Sequence, residues 1–157
     1  MGQQDLPEII MYTDGAARGN PGPGGYGVVL MSGPHRKELS QGYLLTTNNR
    51  MELMAAIAGL EALKVIPSQV TIYTDSKYVV DSVEKGWVFN WVKIHFKGKK
   101  NSDLWKRFLE AYKRHRVRFI WVKGHANIPE NERCDQLAVF ASFQSQLPDD
   151  SGYQPDK

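Results

Sequence analysis

Two short apolar, β-prone runs in this chain end on nearly the same tetrapeptide. Ile9-Ile10-Met11 leads into Tyr12-Thr13-Asp14-Gly15, and Val70-Thr71-Ile72 leads into Tyr73-Thr74-Asp75-Ser76. Each reads as a strand that closes on an acid. If the two strands are parallel neighbours, both carboxylates emerge at one sheet edge, and the carboxyl edge of an open α/β sheet is where ligands bind. Taken singly, Asp14-Gly15 is a common turn dipeptide and Asp75-Ser76 an ordinary helix start. Taken together, two like charges at one edge repel and raise each other's pKa, which favours a cation between them.

At 157 residues and 41% hydrophobic content the chain suits one domain with a full core. The expected boundaries are a domain over residues 1–147 and a disordered C-terminal tail over 148–157. Cys134 stands alone, which rules out an intramolecular disulfide and a cysteine-based metal site and suits the reducing cytosol. With no run of 18 apolar residues and no basic-then-apolar leader, a cytoplasmic protein with no membrane association is expected. The net charge of +3 hides an asymmetry: residues 85–118 carry eleven Lys or Arg against two acids, so this segment is +9 and the remainder −6. A basic stripe beside a carboxylate cluster suits a polyanion held by one part and worked on by the other. The aromatics interleaved with these cations, Trp87, Phe89, Trp91, Phe96 and Trp105, suit packing on sugars and bases.

Between the two acidic strands, residues 18–25 read as a Gly/Pro-rich loop that lacks the Lys and Ser/Thr ending of a phosphate-cradling P-loop. Residues 26–31 and 39–45 read as strands around a turn at Ser32-Gly33-Pro34, forming an antiparallel meander with the first strand. Thr46, Thr47, Asn48 and Asn49 offer caps for a helix running to about Lys64. Glu52 stands in its first turn, where a cap or dipole role competes with a ligand role. It heads a stripe with Ala56, Gly59 and Leu63 suited to close packing on a sheet, and a carboxylate at the head of a packed stripe needs a partner. Further helices are expected over 76–84, 103–115 and 130–145, and a fifth strand over 117–122. His125, beside Gly124 in the loop after that strand, is an imidazole placed to move a proton. His35, His95 and His115 read as surface residues.

These blocks resemble type 1 ribonuclease H of the bacterial kind. The matching stretches are Tyr12-Thr13-Asp14-Gly15 with Gly19-Asn20-Pro21-Gly22; Thr47-Asn48-Asn49-Arg50-Met51-Glu52-Leu53; Tyr73-Thr74-Asp75-Ser76; and Val122-Lys123-Gly124-His125-Ala126 with Glu130-Asn131-Glu132-Arg133-Cys134-Asp135. In order, they span about residues 8–145. The resemblance implies an α/β fold with a five-stranded mixed sheet, three antiparallel strands and then two parallel, flanked by helices. It implies endonucleolytic, largely sequence-independent cleavage of the RNA strand of an RNA/DNA hybrid, with two Mg²⁺ ions per site, Mn²⁺ as a substitute, and 5′-phosphate and 3′-OH products. Metal-binding carboxylates fall on Asp14, Glu52, Asp75 and Asp135, with Asp14 and Asp75 nearest both ions. The family's mobile catalytic histidine falls on His125. Substrate positions fall on Asn20, Thr47, Asn48, Asn49 and Lys77, and Trp87 and Trp91 match the start of the basic protrusion, whose Lys97, Lys99 and Lys100 are expected to hold phosphates. A monomer without an obligate protein partner is expected.

The chain departs from the family pattern in three places. Its protrusion between Trp91 and Trp105 is short, Asn127-Ile128 replaces a commoner Gly-His pair, and Ala17 and Lys77 replace frequent Cys and Gln. Two alternatives remain at this level: a DNA-acting nuclease or strand-transfer enzyme of the same superfamily, which the Asn48-Asn49-Arg50-Met51-Glu52 block disfavours, and a non-catalytic hybrid-binding module, which four retained carboxylates disfavour.

Overall fold

The computed structural model describes residues 5–124 and 126–155. Its frame is a five-stranded sheet in the order β3-β2-β1-β4-β5. Strand β1 (Glu8–Ala17) lies at the centre, antiparallel to β2 (Gly22–Ser32) on one side and parallel to β4 (Gln69–Thr74) on the other. Strand β3 (His35–Thr46) closes the antiparallel side, and β5 (Arg116–Trp121) runs parallel to β4 at the far edge. The three-plus-two mixed sheet expected from the sequence is therefore present. Tyr12 pairs directly with Tyr73, and their rings stack with centroids 4.9 Å apart. The two repeated tetrapeptides are thus in register, and Asp14 and Asp75 follow at matching positions.

Alternation along the strands sorts the residues onto two faces. Met11 and Val28 point toward helix α1 (Asn48–Glu61), where Gly59 lets the helix approach Met11 Sδ. Gly27 points the other way, toward helix α5 (Pro129–Ser142), and a Cβ there would stand 2.3 Å from the Cys134 carbonyl oxygen. Helix α5 therefore sits nearly on the backbone of β2. The main core lies on the α1 side, where helix α2 (Lys77–Glu84) and helix α4 (Ser102–Tyr112) add Val79, Val83, Leu104, Trp105 and Phe108.

Several boundaries and environments differ from the sequence expectation. The Gly/Pro-rich run does not stay a loop: from Gly22 it is part of β2, pairing with Thr46 and Tyr43 across a register shift. Helix α1 stops at Glu61 and α5 at Ser142, each about three residues short of expectation. A short helix α3 (Trp87–Lys93), which the composition of the basic stretch hides, follows Gly86, whose φ of 79° ends α2. The aromatics of that stretch are not a uniform exposed set. Trp105 is fully buried, Phe96 is buried, and Trp91 packs edge-on against Trp105, while Trp87 and Phe89 stay exposed. His115 is not a simple surface residue either: its Nδ1 accepts a hydrogen bond from Ser68 N at 2.9 Å, and burial pushes its pKa below the ordinary histidine value.

The described part of the expected disordered tail, residues 148–155, lies against the domain. Leu44 N donates to the Pro148 carbonyl at 2.9 Å, and Asp150 reaches buried Arg50 with Nε to Oδ2 at 2.7 Å. Among the described residues, no helix is long and apolar enough to cross a membrane.

Candidate active site

Asp14 arrives on β1, Asp75 on the residue after β4, Glu52 on the first turns of α1, and Asp135 in the second turn of α5. Gly15 allows this convergence. A Cβ at that position would lie 2.3 Å from Met51 C and 2.4 Å from Glu52 N, so only glycine lets the first turn of α1 close onto the end of β1. Asp14, Glu52 and Asp75 each offer an oxygen within 4.8 Å of the others. Asp135 lines the same cavity of about 300 Å³ with those three acids, Asn48, Asn131 and Glu132, but its carboxylate stands outside the tight group.

This proximity costs free energy when no cation is present. Burial, and then the charge of Asp75, push the Asp14 carboxyl up from 3.8 to about 7. Glu52 is raised well above the usual carboxylate range by burial and by the charges of Asp14 and Asp75. Although Glu52 as a residue is only half-buried, its Oε1 is sealed from solvent and has no hydrogen-bond partner; the other buried side-chain atom in that condition among the described residues is Asn131 Oδ1. Both orphans are acceptors, and both residues line the carboxylate cavity. A cavity into which three carboxylates and two unpartnered buried oxygen acceptors are gathered fits a hard divalent cation.

The neighbouring turn is tied down from inside. Thr47 Oγ1 caps α1 by accepting from Arg50 N at 3.2 Å. Asn20 Oδ1 accepts from Asn48 N at 2.9 Å, and Asn48 Oδ1 accepts from Ala17 N at 2.7 Å. With both amide oxygens committed, what these side chains retain is N–H donors, which suit phosphate and sugar oxygens. Asn20, Thr47, Asn49, Lys99 and Lys100 share the lining of a cavity of about 560 Å³. Lys77 lies over the Trp121 ring at 4.4 Å, and Trp121 Nε1 donates to the Asp75 carbonyl at 3.1 Å, so Lys77 is held beside the acids. Trp87 carries Lys85 at 5.4 Å, Trp91 carries Lys99 at 5.3 Å, and Lys97 is exposed. His125 lies outside the described residues. Its neighbour Gly124 passes so close to Asp75 that a Cβ would stand 2.7 Å from Oδ2.

Sequence reasoning missed two residues here. Asn131 stands four residues before Asp135, a helical spacing that would have placed it on the same face. Trp121 carried no comparable signal.

The family model for RNase H matches residues 7–143. The chain belongs to the ribonuclease H family. Among relatives, the ribonuclease H of Trichodesmium erythraeum is 57% identical over 152 residues, covering 94% of this chain and 96% of the relative. The ribonuclease H of Desulforamulus reducens is 58% identical over 149 residues, covering 92% and 93%. Among solved structures, LC9-RNase H1, a type 1 ribonuclease H with the type 2 active-site motif, superposes with a TM-score of 0.81 at 32% identity, over 90% of this chain and 74% of that one. LC11-RNase H1 in complex with an RNA/DNA hybrid matches with a TM-score of 0.67 at 28% identity, over 85% and 95%. This ribonuclease H chain thus shares both sequence and fold with the family over its whole sheet and helix framework.

Proposed function

We propose that this chain is an endonuclease that hydrolyses the RNA strand of RNA/DNA hybrids, using two Mg²⁺ ions held by Asp14, Glu52, Asp75 and Asp135. The observation that carries the reading is the tight oxygen group of Asp14, Glu52 and Asp75, in which Glu52 also keeps a buried, unpartnered Oε1. When bound, the ions neutralise the scissile phosphate and lower the pKa of an attacking water. The chain's own residues do the rest. Glu52, in α1 one helical turn after Asn48, accepts from the 2′-OH that separates RNA from DNA. Asn20, Thr47, Asn48, Asn49 and Lys77 grip the backbone of the hybrid without reading bases, which makes cleavage largely sequence-independent. Trp87, Trp91, Lys97, Lys99 and Lys100 on the protrusion hold the DNA strand. His125, one residue beyond Gly124, gives a proton to the leaving 3′ oxygen as the bond from phosphorus to that oxygen breaks. Water supplies the new bond to phosphorus, so the products carry 5′-phosphate and 3′-OH ends. We assign the working form to a cytoplasmic monomer.

The deciding experiment offers one sequence as RNA/DNA, RNA/RNA, DNA/DNA and DNA with a single ribonucleotide, each end-labelled. Cleavage confined to the RNA of the hybrid and lost with EDTA is expected. Cleavage of DNA/DNA supports a DNA-acting superfamily enzyme instead, and 2′,3′-cyclic phosphate ends refute hydrolysis by a metal-activated water.

A further inference from the structure

Arg50 is a charged residue inside the first turn of α1 that is only 2% exposed, and it is fully satisfied. Nε donates to Asp150 Oδ2 at 2.7 Å, and Nη2 donates to Asp150 Oδ1 at 3.0 Å and to Asp103 Oδ2 at 2.8 Å. Nη1 donates to Asp103 Oδ1 at 2.9 Å and to Asn101 Oδ1 at 3.3 Å. All five guanidinium N–H groups are thereby used, with a carboxylate on each edge. Asp103 belongs to α4. Asp150 comes from the C-terminal segment, a hundred residues away in sequence, and also accepts from the Thr46 hydroxyl at 2.7 Å.

These contacts converge under one short turn. Thr46 ends β3, and the cap Thr47 with Asn48 and Asn49, the helical residues of α1 before Arg50, carry the side chains assigned above to the hybrid. Asp150 binds the turn at both of its ends, and the segment carrying it is itself fixed where Leu44 N donates to the Pro148 carbonyl. Beyond Asp150 the segment continues along the groove, where Tyr153 and Gln154 line the same cavity as Asn20, Thr47 and Asn49.

We propose that Asp150 is a positioning residue for hybrid binding: through Thr46 and Arg50 it fixes the conformation of residues 47–49. The carboxylates are held separately. Asp14 and Asp75 depend on the β1–β4 pairing, and Glu52 is flanked by Met51 and Leu53, both buried in the core. Loss of the Asp150 contacts therefore weakens substrate capture and leaves the chemical step intact. This inference rests on the reading that residues 47–49 touch the hybrid.

The test compares hybrid cleavage by the full-length protein and its Asp150→Asn, Thr46→Val and Asn49→Ala variants, with KM, kcat and melting temperature measured for each. Thr46→Val keeps side-chain shape and all charges while removing one bond to Asp150, so it remains informative if Asp150→Asn folds poorly. Asp150→Asn is expected to raise KM about tenfold, the scale of one hydrogen bond to a charged group, with kcat within about twofold. Thr46→Val shifts KM the same way by a smaller factor. A purely structural role lowers the folded fraction and hence the apparent kcat, and does not move KM. An unchanged KM in both variants, at any melting temperature, overturns the proposal. If Asn49→Ala also leaves KM unchanged, the assignment of the turn to the hybrid fails first; if only Asn49→Ala raises it, the role of Asp150 alone fails.

Discussion

Asp14→Asn is expected to stabilise the metal-free protein, and the size of the gain depends on pH. Asp14 is only 7% exposed and its carboxyl is held up from 3.8 to about 7, chiefly by burial and then by the charge of Asp75. A displacement of about three pH units corresponds to about 4 kcal/mol at about 1.4 kcal/mol per unit. The folded pKa is the higher one, so between about pH 4 and pH 7 the unfolded chain releases this proton while the folded chain keeps it. Stability falls with rising pH across that window, and above it the full cost is present. Asparagine carries no titrating proton and preserves the Oδ1 that accepts from Gly15 N at 2.9 Å. Urea unfolding in EDTA should therefore show wild type and variant nearly equal at pH 4. They should diverge by up to about 4 kcal/mol at pH 8, a rise in melting temperature on the order of 10 °C. Added Mg²⁺ should raise wild-type stability by mass action and close much of that gap. A variant equally stabilised at pH 4 and pH 8, or not stabilised at all in chelator, would refute the idea that burying the Asp14 charge, beside that of Asp75, destabilises this site.

Two further outcomes follow from the packing and the charge distribution. Gly27→Ala forces a Cβ to within 2.3 Å of the Cys134 carbonyl oxygen, so α5 must lift from the sheet; a loss of about 3 kcal/mol in chemical denaturation is expected, and a neutral effect would mean the helix moves freely. Replacing Lys97, Lys99 and Lys100 by Ala should weaken hybrid binding and reduce the slope of log affinity against log salt by about two to three, whereas an unchanged slope would place the phosphate contacts elsewhere.

The acid pair was legible in the sequence because its signal is local: a β-prone run that ends on Asp, twice, with the same flanking residues. The pairing of Tyr12 with Tyr73 turns that repetition into spatial register. Glu52 was legible for a related reason, since helical spacing placed it at the head of a small-residue stripe, and Gly59 does meet Met11. Trp105 was misread because composition alone cannot tell an exposed ring among lysines from a core ring on an amphipathic helix. Its spacing to Phe108 and Tyr112 marks the buried face of α4. Arg50 and Asp150 were beyond local reasoning. Arg50 stood only within a motif block and the polar C-terminal run read as a disordered tail, and it is their mutual contact across a hundred residues that ties the segment down.

The parallel ladder between β1 and β4 has a consequence for how this enzyme would fail. Adjacent strands are spaced about 4.8 Å apart by their main-chain hydrogen bonds, and Asp14 and Asp75 each lie two residues beyond the last pair of the β1–β4 ladder, Tyr12 with Tyr73. The spacing of their Cα atoms is therefore gauged by the backbone, as a jaw is set by its frame. Heat or denaturant that parts these central strands should therefore remove the Asp14–Asp75 pair and the core of the fold together.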